Sequence, residues 1–185
     1  MTPRLDGSST WLAPFGREHL DDPRYYAWLR DYDVVKTINR PDYVAGVLFS
    51  EVERYCEAVM ASKTDLFWAI HWRESGLFIG TLKAGSINPH AGTADIGILV
   101  GDRTMWGKGA ATDAIRACGT YLFRGLGLRK LTAGLMSVNE PMLKVFLKLG
   151  FVVEGTLRRQ DRFEDGYCDH IYLGCFADEF RFERA

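Results

Sequence analysis

The sequence predicts a mixed α/β domain with one main sheet covered by helices. Three observations carry this reading. Strand-like runs fill residues 66–100, separated by short turns that contain Gly or Pro. The apolar spacing then becomes helical over Ala110 to Phe123. A further alternating run, Leu131 to Met136, follows at once, so the strands either side of that helix are expected to be locally parallel, with a right-handed crossover.

The elements follow in order. Ser9 to Ala13 reads as an opening strand stopped by Pro14, and Pro23 to Leu29 as a short helix with Tyr25, Tyr26 and Trp28. Arg40 to Gly46, with Pro41 and Gly46, reads as a loop. Ser50 with Glu53 three residues later forms a capping box, and the helix behind it runs to about Ala61 with Val52, Tyr55 and Val59 on one side. Leu66 to Trp72 and Leu77 to Ile87 form a hairpin around Glu74-Ser75-Gly76. Asn88 to Gly92 turns the chain into Ala94 to Val100, whose run of Ile96, Ile98, Leu99 and Val100 suggests burial on both faces. In the helix Ala110 to Phe123, Ala111, Ala114, Ile115, Cys118 and Leu122 share a face, and Gly125 and Gly127 end it. Asn139 caps another helix, with Pro141 in its first turn and Gly150 at its end. Phe151 to Leu157 and Tyr167 to Phe176 close the sheet as a hairpin turning at Asp165-Gly166.

Composition removes several function classes. The 185 residues suit one domain, read here as residues 1–185 without a linker or repeat. An apolar fraction of 47% rules out bulk disorder. A net charge of −1 argues against a nucleic-acid binder working through a basic face. No apolar run approaches the roughly 20 residues that span a bilayer, and Met1 to Gly16 lacks the apolar core of a secretory signal. Cys56, Cys118, Cys168 and Cys175 form no Cys-x-x-Cys pair and have no zinc-type spacing to His, so free thiols, a cytoplasmic setting and no metal site are expected.

The most informative segment is G-D-R-T-M-W-G-K-G-A-A-T, residues 101–112, at a strand-to-helix junction. Gly107 and Gly109 let backbone approach a ligand closely. The first helical amides have no intrahelical acceptor and sit at the positive end of the helix dipole, which suits phosphate. Arg103 and Lys108 add full charges. A Walker A loop is excluded because Gly109 stands where Ser or Thr must follow Lys108, and a dinucleotide fingerprint fails at Thr112. A glycine turn that only packs strand on helix is the alternative.

Residues 103–111 resemble the pyrophosphate-binding turn of the GNAT superfamily of acetyl-coenzyme A dependent N-acetyltransferases, whose pattern maps onto Trp106, Gly109 and Ala111. Trp in the first position resembles the Rim-type branch, which acetylates ribosomal-protein N-termini, and related small-amine enzymes. The block N-E-P-M-L-K-V-F-L-K-L-G-F, residues 139–151, is similar to the superfamily's next helix, and the resemblance spans about residues 66–176. It implies a GNAT-type fold: a mostly antiparallel sheet of six to seven strands, a splayed and locally parallel pair, and helices on both faces.

The resemblance also implies a site. Acetyl-coenzyme A would lie between the splayed strands, its pantetheine arm along Ile98, Leu99 and Val100. Its pyrophosphate would meet the amides of Trp106, Gly107, Lys108, Gly109, Ala110 and Ala111. Arg103 or Lys108 would reach the 3′-phosphate region, and Asn139 would bond the arm near the thioester. Acyl transfer needs a base for the amine and a donor for the oxyanion. Asp95 is the first candidate base, on a strand beside the cleft; His90 and Ser137 are further candidates, each with an ordinary structural alternative as a paired or turn residue. His71 and His170 read as satisfied core or edge histidines. Phe146 and Met142 stand where many members carry Tyr and Ser, so the usual acid for the leaving thiolate is missing. Trp28, Tyr32, Tyr43, Phe49 and Trp68 line an acceptor pocket or fill core. The segments I-G-T-L-K-A-G-S-I-N-P, residues 79–89, and A-D-I-G-I-L-V-G-D, residues 94–102, are similar to enzymes that acetylate nucleotide-linked amino sugars, which favours a small amine over a peptide N-terminus; the reading leaves a homodimer open. A catalytically silent acyl-coenzyme A binding module is the alternative of a different class.

Overall fold

The computed structural model describes residues 2–38 and 40–183. Eight strands form one sheet: β1 (Leu5–Asp6), β2 (Thr10–Pro14), β3 (Leu66–Trp72), β4 (Phe78–Asn88), β5 (Thr93–Val100), β6 (Lys130–Met136), β7 (Val152–Phe163) and β8 (Gly166–Phe176). Their order is β1-β2-β3-β4-β5-β6-β8-β7, and only β5 and β6 run parallel. The strand beyond expectation is β1, two residues paired as Leu5 with Leu12 and Asp6 with Trp11, too short to show a period in sequence.

Helices cover both faces because strand side chains alternate. Phe67, Ala69 and Phe78 point to the N-terminal helices, joining Leu20, Tyr25, Val52 and Cys56 in one core. Trp68, Ile70, Ile79 and Leu82 point the other way, against Ala114, Ile115 and Cys118 of α6 (Ala110–Thr120), Phe146 of α7 (Glu140–Lys148) and Leu149 at its C-terminal cap. Each core draws on successive residues of the same strands, so neither helical layer can shift without the sheet.

The N-terminal helices are α1 (Arg17–Leu20), α2 (Pro23–Trp28), α3 (Tyr32–Val35), α4 (Pro41–Ala45) and α5 (Phe49–Ala61). Helix α4 replaces the expected loop over 40–46. Pro41 occupies its first turn and Gly46, at φ 97°, its C-terminal cap, so the two presumed breakers are the ends of a short helix. The capping box of α5 also differs. The helix starts a residue before Ser50, and the Glu51 carboxylate accepts from Leu48 N at 3.0 Å. Glu53 instead lies 2.6 Å from the Arg17 guanidinium. At its C-terminus α6 widens into a π turn over Tyr121–Gly125 before Gly127 turns the chain at φ 67°.

Candidate active site

The sheet opens where β5 and β6 part. Their parallel ladder pairs Thr93 with Lys130, Ala94 with Leu131 and Asp95 with Thr132, and goes no further. Strand β5 stays paired to β4 up to Val100. From Ile96 onward, therefore, the edge of β5 turned away from β4 has no strand partner, and a V-shaped cleft opens with Asp95 and Thr132 at its apex. Ile98, Leu99 and Val100 lie along this edge, half-buried. Trp28 of α2 packs its ring directly on Gly101, where a Cβ would meet it at 2.2 Å, and so walls the open end.

Beyond the cleft the chain makes one 3-10 turn, Arg103–Met105, and enters α6 through Gly107 and Gly109. Both glycines have positive φ, 75° and 83°, and an added Cβ would meet nothing within 4 Å. They are needed for backbone conformation and for an open surface, not for close packing. Gly109 is the N-cap of α6, so the amides of Ala110, Ala111 and Thr112 begin the helix without intrahelical acceptors. Lys108, Thr112, Arg116 and Lys148 line an adjoining cavity of about 270 Å³. Arg116 and Lys148 were not among the sequence candidates, since only folding sets α6 and the end of α7 beside the turn. Arg103 is engaged elsewhere: its guanidinium lies 2.9 Å from Asp33 and 3.5 Å from Asp31, tying the turn to α3. Trp106 donates from Nε1 to the Val100 carbonyl at 2.8 Å.

Asp95 projects to the face of the N-terminal helices, opposite its buried neighbours Ala94 and Ile96. Thr132 Oγ1 donates to its carboxylate at 2.9 Å. The side chain meets solvent in the cleft, yet the surrounding protein removes enough hydration to raise its pKa, against lowering by the Thr132 hydroxyl, Lys83 and His170. A carboxylate so placed binds a proton more readily than an ordinary surface Asp.

The other candidates do not join it. His90 lies exposed in the turn before β5, at the closed end of the V. Ser137 follows β6 at the opposite end, where its Oγ accepts from Asp169 N at 3.1 Å and ties β6 to β8. Asn139 caps α7 as expected, accepting from Met142 N at 3.4 Å, while its amide donates to Thr37 Oγ1 at 3.1 Å. Phe146 is buried against Phe151 and presents nothing to the cleft. Of the aromatic residues, Trp68 and Tyr43 are core, Tyr32 is exposed, and Trp28 borders the cleft.

One pair escaped the sequence reading. His170 Nδ1 lies 2.6 Å from Asp161 Oδ2, and Asp161 is buried. The hairpin register places Asp161 opposite Cys168, so His170 is its diagonal neighbour on the same face. The turn residues are Glu164 and Asp165, not the expected Asp165 and Gly166, because Gly166 already pairs with Phe163; counting back from that turn sets Asp161 opposite Cys168 and diagonal to His170.

These features invite comparison with known proteins. A family model described as an acetyltransferase (GNAT) domain matches residues 10–152. The chain belongs to this family. The uncharacterized N-acetyltransferase p20 of Bacillus licheniformis is 34% identical over 101 residues, 55% of this chain and 56% of that protein; the chain thus spans little more than half of that relative. Among solved structures, spermidine N-acetyltransferase from Vibrio cholerae, in complex with CoA and spermine, matches with a TM-score of 0.82 at 19% identity, covering 93% of this chain and 98% of that one. Mycobacterium smegmatis RimJ, in complex with CoA-disulfide, matches with a TM-score of 0.79 at 20% identity, covering 96% and 87%. At such identities the structural matches speak for the GNAT fold, including its mostly antiparallel sheet with one parallel pair. Among the described residues no His, Cys, Asp and Glu group has metal-binding geometry, and no helix is long and apolar enough to cross a membrane.

Proposed function

We propose that this GNAT domain transfers the acetyl group of acetyl-coenzyme A directly to a primary amine, and that the acceptor is a small amine such as a nucleotide-linked amino sugar. One observation carries the transfer reading: the cleft between β5 and β6 has a glycine turn with helix-starting amides at its open end and a carboxylate of raised proton affinity at its apex.

The residues present fit the cosubstrate. The amides of Gly107, Gly109, Ala110 and Ala111 offer donors to a pyrophosphate, whereas those of Trp106 and Lys108 donate to the Arg103 and Met105 carbonyls at 3.2 and 3.3 Å; Lys108 lies nearby, and Arg116 and Lys148 border the adjoining cavity for a further phosphate. The free edge of β5 over Ile98, Leu99 and Val100 suits an extended arm carrying amide groups, as a sheet edge suits an added strand. Asn139 stands at the N-terminus of α7 and contributes a polar side chain on the β6 side. Bound there, acetyl-coenzyme A supplies the thioester carbonyl.

An alkylamine reaches the site mostly protonated at neutral pH and must lose a proton to become a nucleophile. Asp95 provides both functions: its charge draws the ammonium to the apex, and its raised proton affinity favours taking the proton. The resemblance of residues 79–89 and 94–102 to amino-sugar acetyltransferases supports the acceptor class. A protein N-terminus is the second reading, supported by the fold likeness to RimL, a ribosomal L7/L12 alpha-N-protein acetyltransferase.

Thiol release from acetyl-coenzyme A tests both, across amino-sugar nucleotides, polyamines and peptides with free N-termini. Turnover with a sugar nucleotide is the expected result. Turnover with peptides alone would replace the acceptor class. Stabilisation by coenzyme A without turnover of any amine would leave an acyl-coenzyme A binding module in place of a transferase.

A further inference from the structure

Acyl transfer to an amine moves two protons, and Asp95 accounts for one. After the ammonium has given up its first proton, the nitrogen forms its bond to the carbonyl carbon as the carbon–sulfur bond breaks. The nitrogen must then shed a second proton, and the departing sulfur must gain one. Phe146, at the position where an acid would be expected, is buried and cannot serve.

The Asp161–His170 pair lies on the face that needs such a group. On β6, Thr132 and Gly134 are two residues apart and share a face, and Thr132 bonds Asp95. The His170 ring covers Gly134 so closely that a Cβ there would fall 2.7 Å from Nε2. Nε2 therefore sits over the β6 side of the cleft, on the same face as Asp95. A carboxylate only accepts, so Nδ1 donates to Asp161, and in the neutral imidazole Nε2 then presents its lone pair. Nε2 has no hydrogen bond among the described residues, and the side chain is 13% accessible. The Tyr172 ring, 4.7 Å away by centroids, flanks it. Gly134 keeps room for the imidazole and Asp161 sets its tautomer; the resulting arrangement is an oriented base beside an open cleft.

We propose that His170 is a second catalytic residue, taking at Nε2 the proton that the nitrogen sheds on acylation and returning it to the sulfur, with Asp161 as its positioning residue. Through the cycle His170 ends neutral, one proton passes from nitrogen to sulfur, and the products are the amide and the free thiol. A single histidine thus serves as base and acid, which accounts for the missing acid at Phe146. This inference rests on the acetyl-transfer reading above.

The test compares wild type with His170→Gln, Asp161→Asn and Gly134→Ala. Coenzyme A stabilisation and wild-type turnover report on the underlying reading. For His170→Gln, kcat is expected to fall about 10²- to 10⁴-fold, the usual span for a general acid–base group, with KM for the amine and coenzyme A binding within about twofold. Gly134→Ala displaces the ring and should lower kcat in the same way. Asp161→Asn should change the pH profile of kcat, which a merely structural role would leave in shape. Nitrogen NMR of the imidazoles gives a readout independent of turnover: His170 should show a protonated Nδ1 and bare Nε2, lose that signature in Asp161→Asn, and shift when coenzyme A binds. Wild-type turnover with an unaltered kcat and pH profile in His170→Gln would overturn the proposal alone. A His170 resonance indifferent to bound coenzyme A would overturn it even without a known acceptor.

Discussion

Individual residues hold their protonation states through their partners. His71 donates from Nδ1 to the Gly76 carbonyl at 3.1 Å, and His19 Nδ1 accepts from Gly16 N at 3.0 Å. The remaining contact, Nε2 to Nε2 at 3.2 Å, then has His19 as donor and His71 as acceptor, so both rings are neutral. Burial lowers the pKa of each. With folded values below the unfolded one, the native state binds fewer protons. The pair's contribution is full above the ordinary His pKa of about 6.5 and is lost as pH falls through and below it. The urea midpoint should therefore drop between pH 7 and pH 5, and the double variant His19→Gln/His71→Gln, which cannot take up those protons, should flatten that slope. Asp95 has the opposite shift. Asp95→Asn keeps the Thr132 contact but removes charge and base, so kcat/KM for the amine should fall about 10²-fold or more, with coenzyme A binding retained. Near-normal turnover of that variant from pH 6 to pH 9 would remove Asp95 from the mechanism. Asp95 was a candidate because the family resemblance places an acid on this strand, between Ala94 and Ile96. His170 was passed over because a mid-strand histidine is ordinarily just packed, and its partner is nine residues away.

At the scale of elements, the turn into α6 was the best-marked feature of the chain. Its two glycines serve left-handed backbone that other residues adopt at a cost of about 1–2 kcal/mol. Gly109→Ala should therefore lower stability by about 1 kcal/mol and also place a methyl group at the mouth of the amide cradle. The expected outcome is a fold that persists with coenzyme A binding at least tenfold weaker, measured by calorimetry. Unchanged affinity would mean that phosphate is held elsewhere. Residues 40–46 show how a local signal misleads. Pro and Gly mark the two ends of a short helix as readily as they mark a loop, and only the packing of Tyr43 into the core selects the helix. At α5, the box residues were displaced because Glu51 reaches the Leu48 amide while Arg17, far off in sequence, engages Glu53.

In the whole molecule, the N-terminal strands and α6 are fastened by one buried acid. The Asp113 carboxylate on α6 accepts from Ser8 N, Ser9 N, Thr10 N and Thr10 Oγ1, at 2.8 to 3.2 Å. Four donors on residues 8–10 are thus satisfied by a single side chain more than 100 positions away. Charge-assisted hydrogen bonds and the penalty for stranding buried donors make this one of the costliest side chains to remove. Asp113→Ala should lower the unfolding free energy by about 3–5 kcal/mol in urea titrations, with the m-value unchanged. A loss under about 1 kcal/mol would show that the N-terminal segment is not held through this residue.

Periodicity, turn residues and the glycine-rich junction sufficed for the fold class, the order of the main elements and the place of the glycine turn that opens α6. Those features are local: side-chain alternation, helix capping and positive φ act within a few residues. Tertiary structure decided what depends on distant chain segments. It ended the β5–β6 ladder at Asp95 and Thr132, took Arg103 into ion pairs with α3, and set Arg116 and Lys148 beside the turn. It also placed His170 over Gly134 with Asp161 behind it. A cleft arises from strands that separate, and a paired acid and base from side chains that converge. Neither can be read from a chain until the sheet has fixed its register.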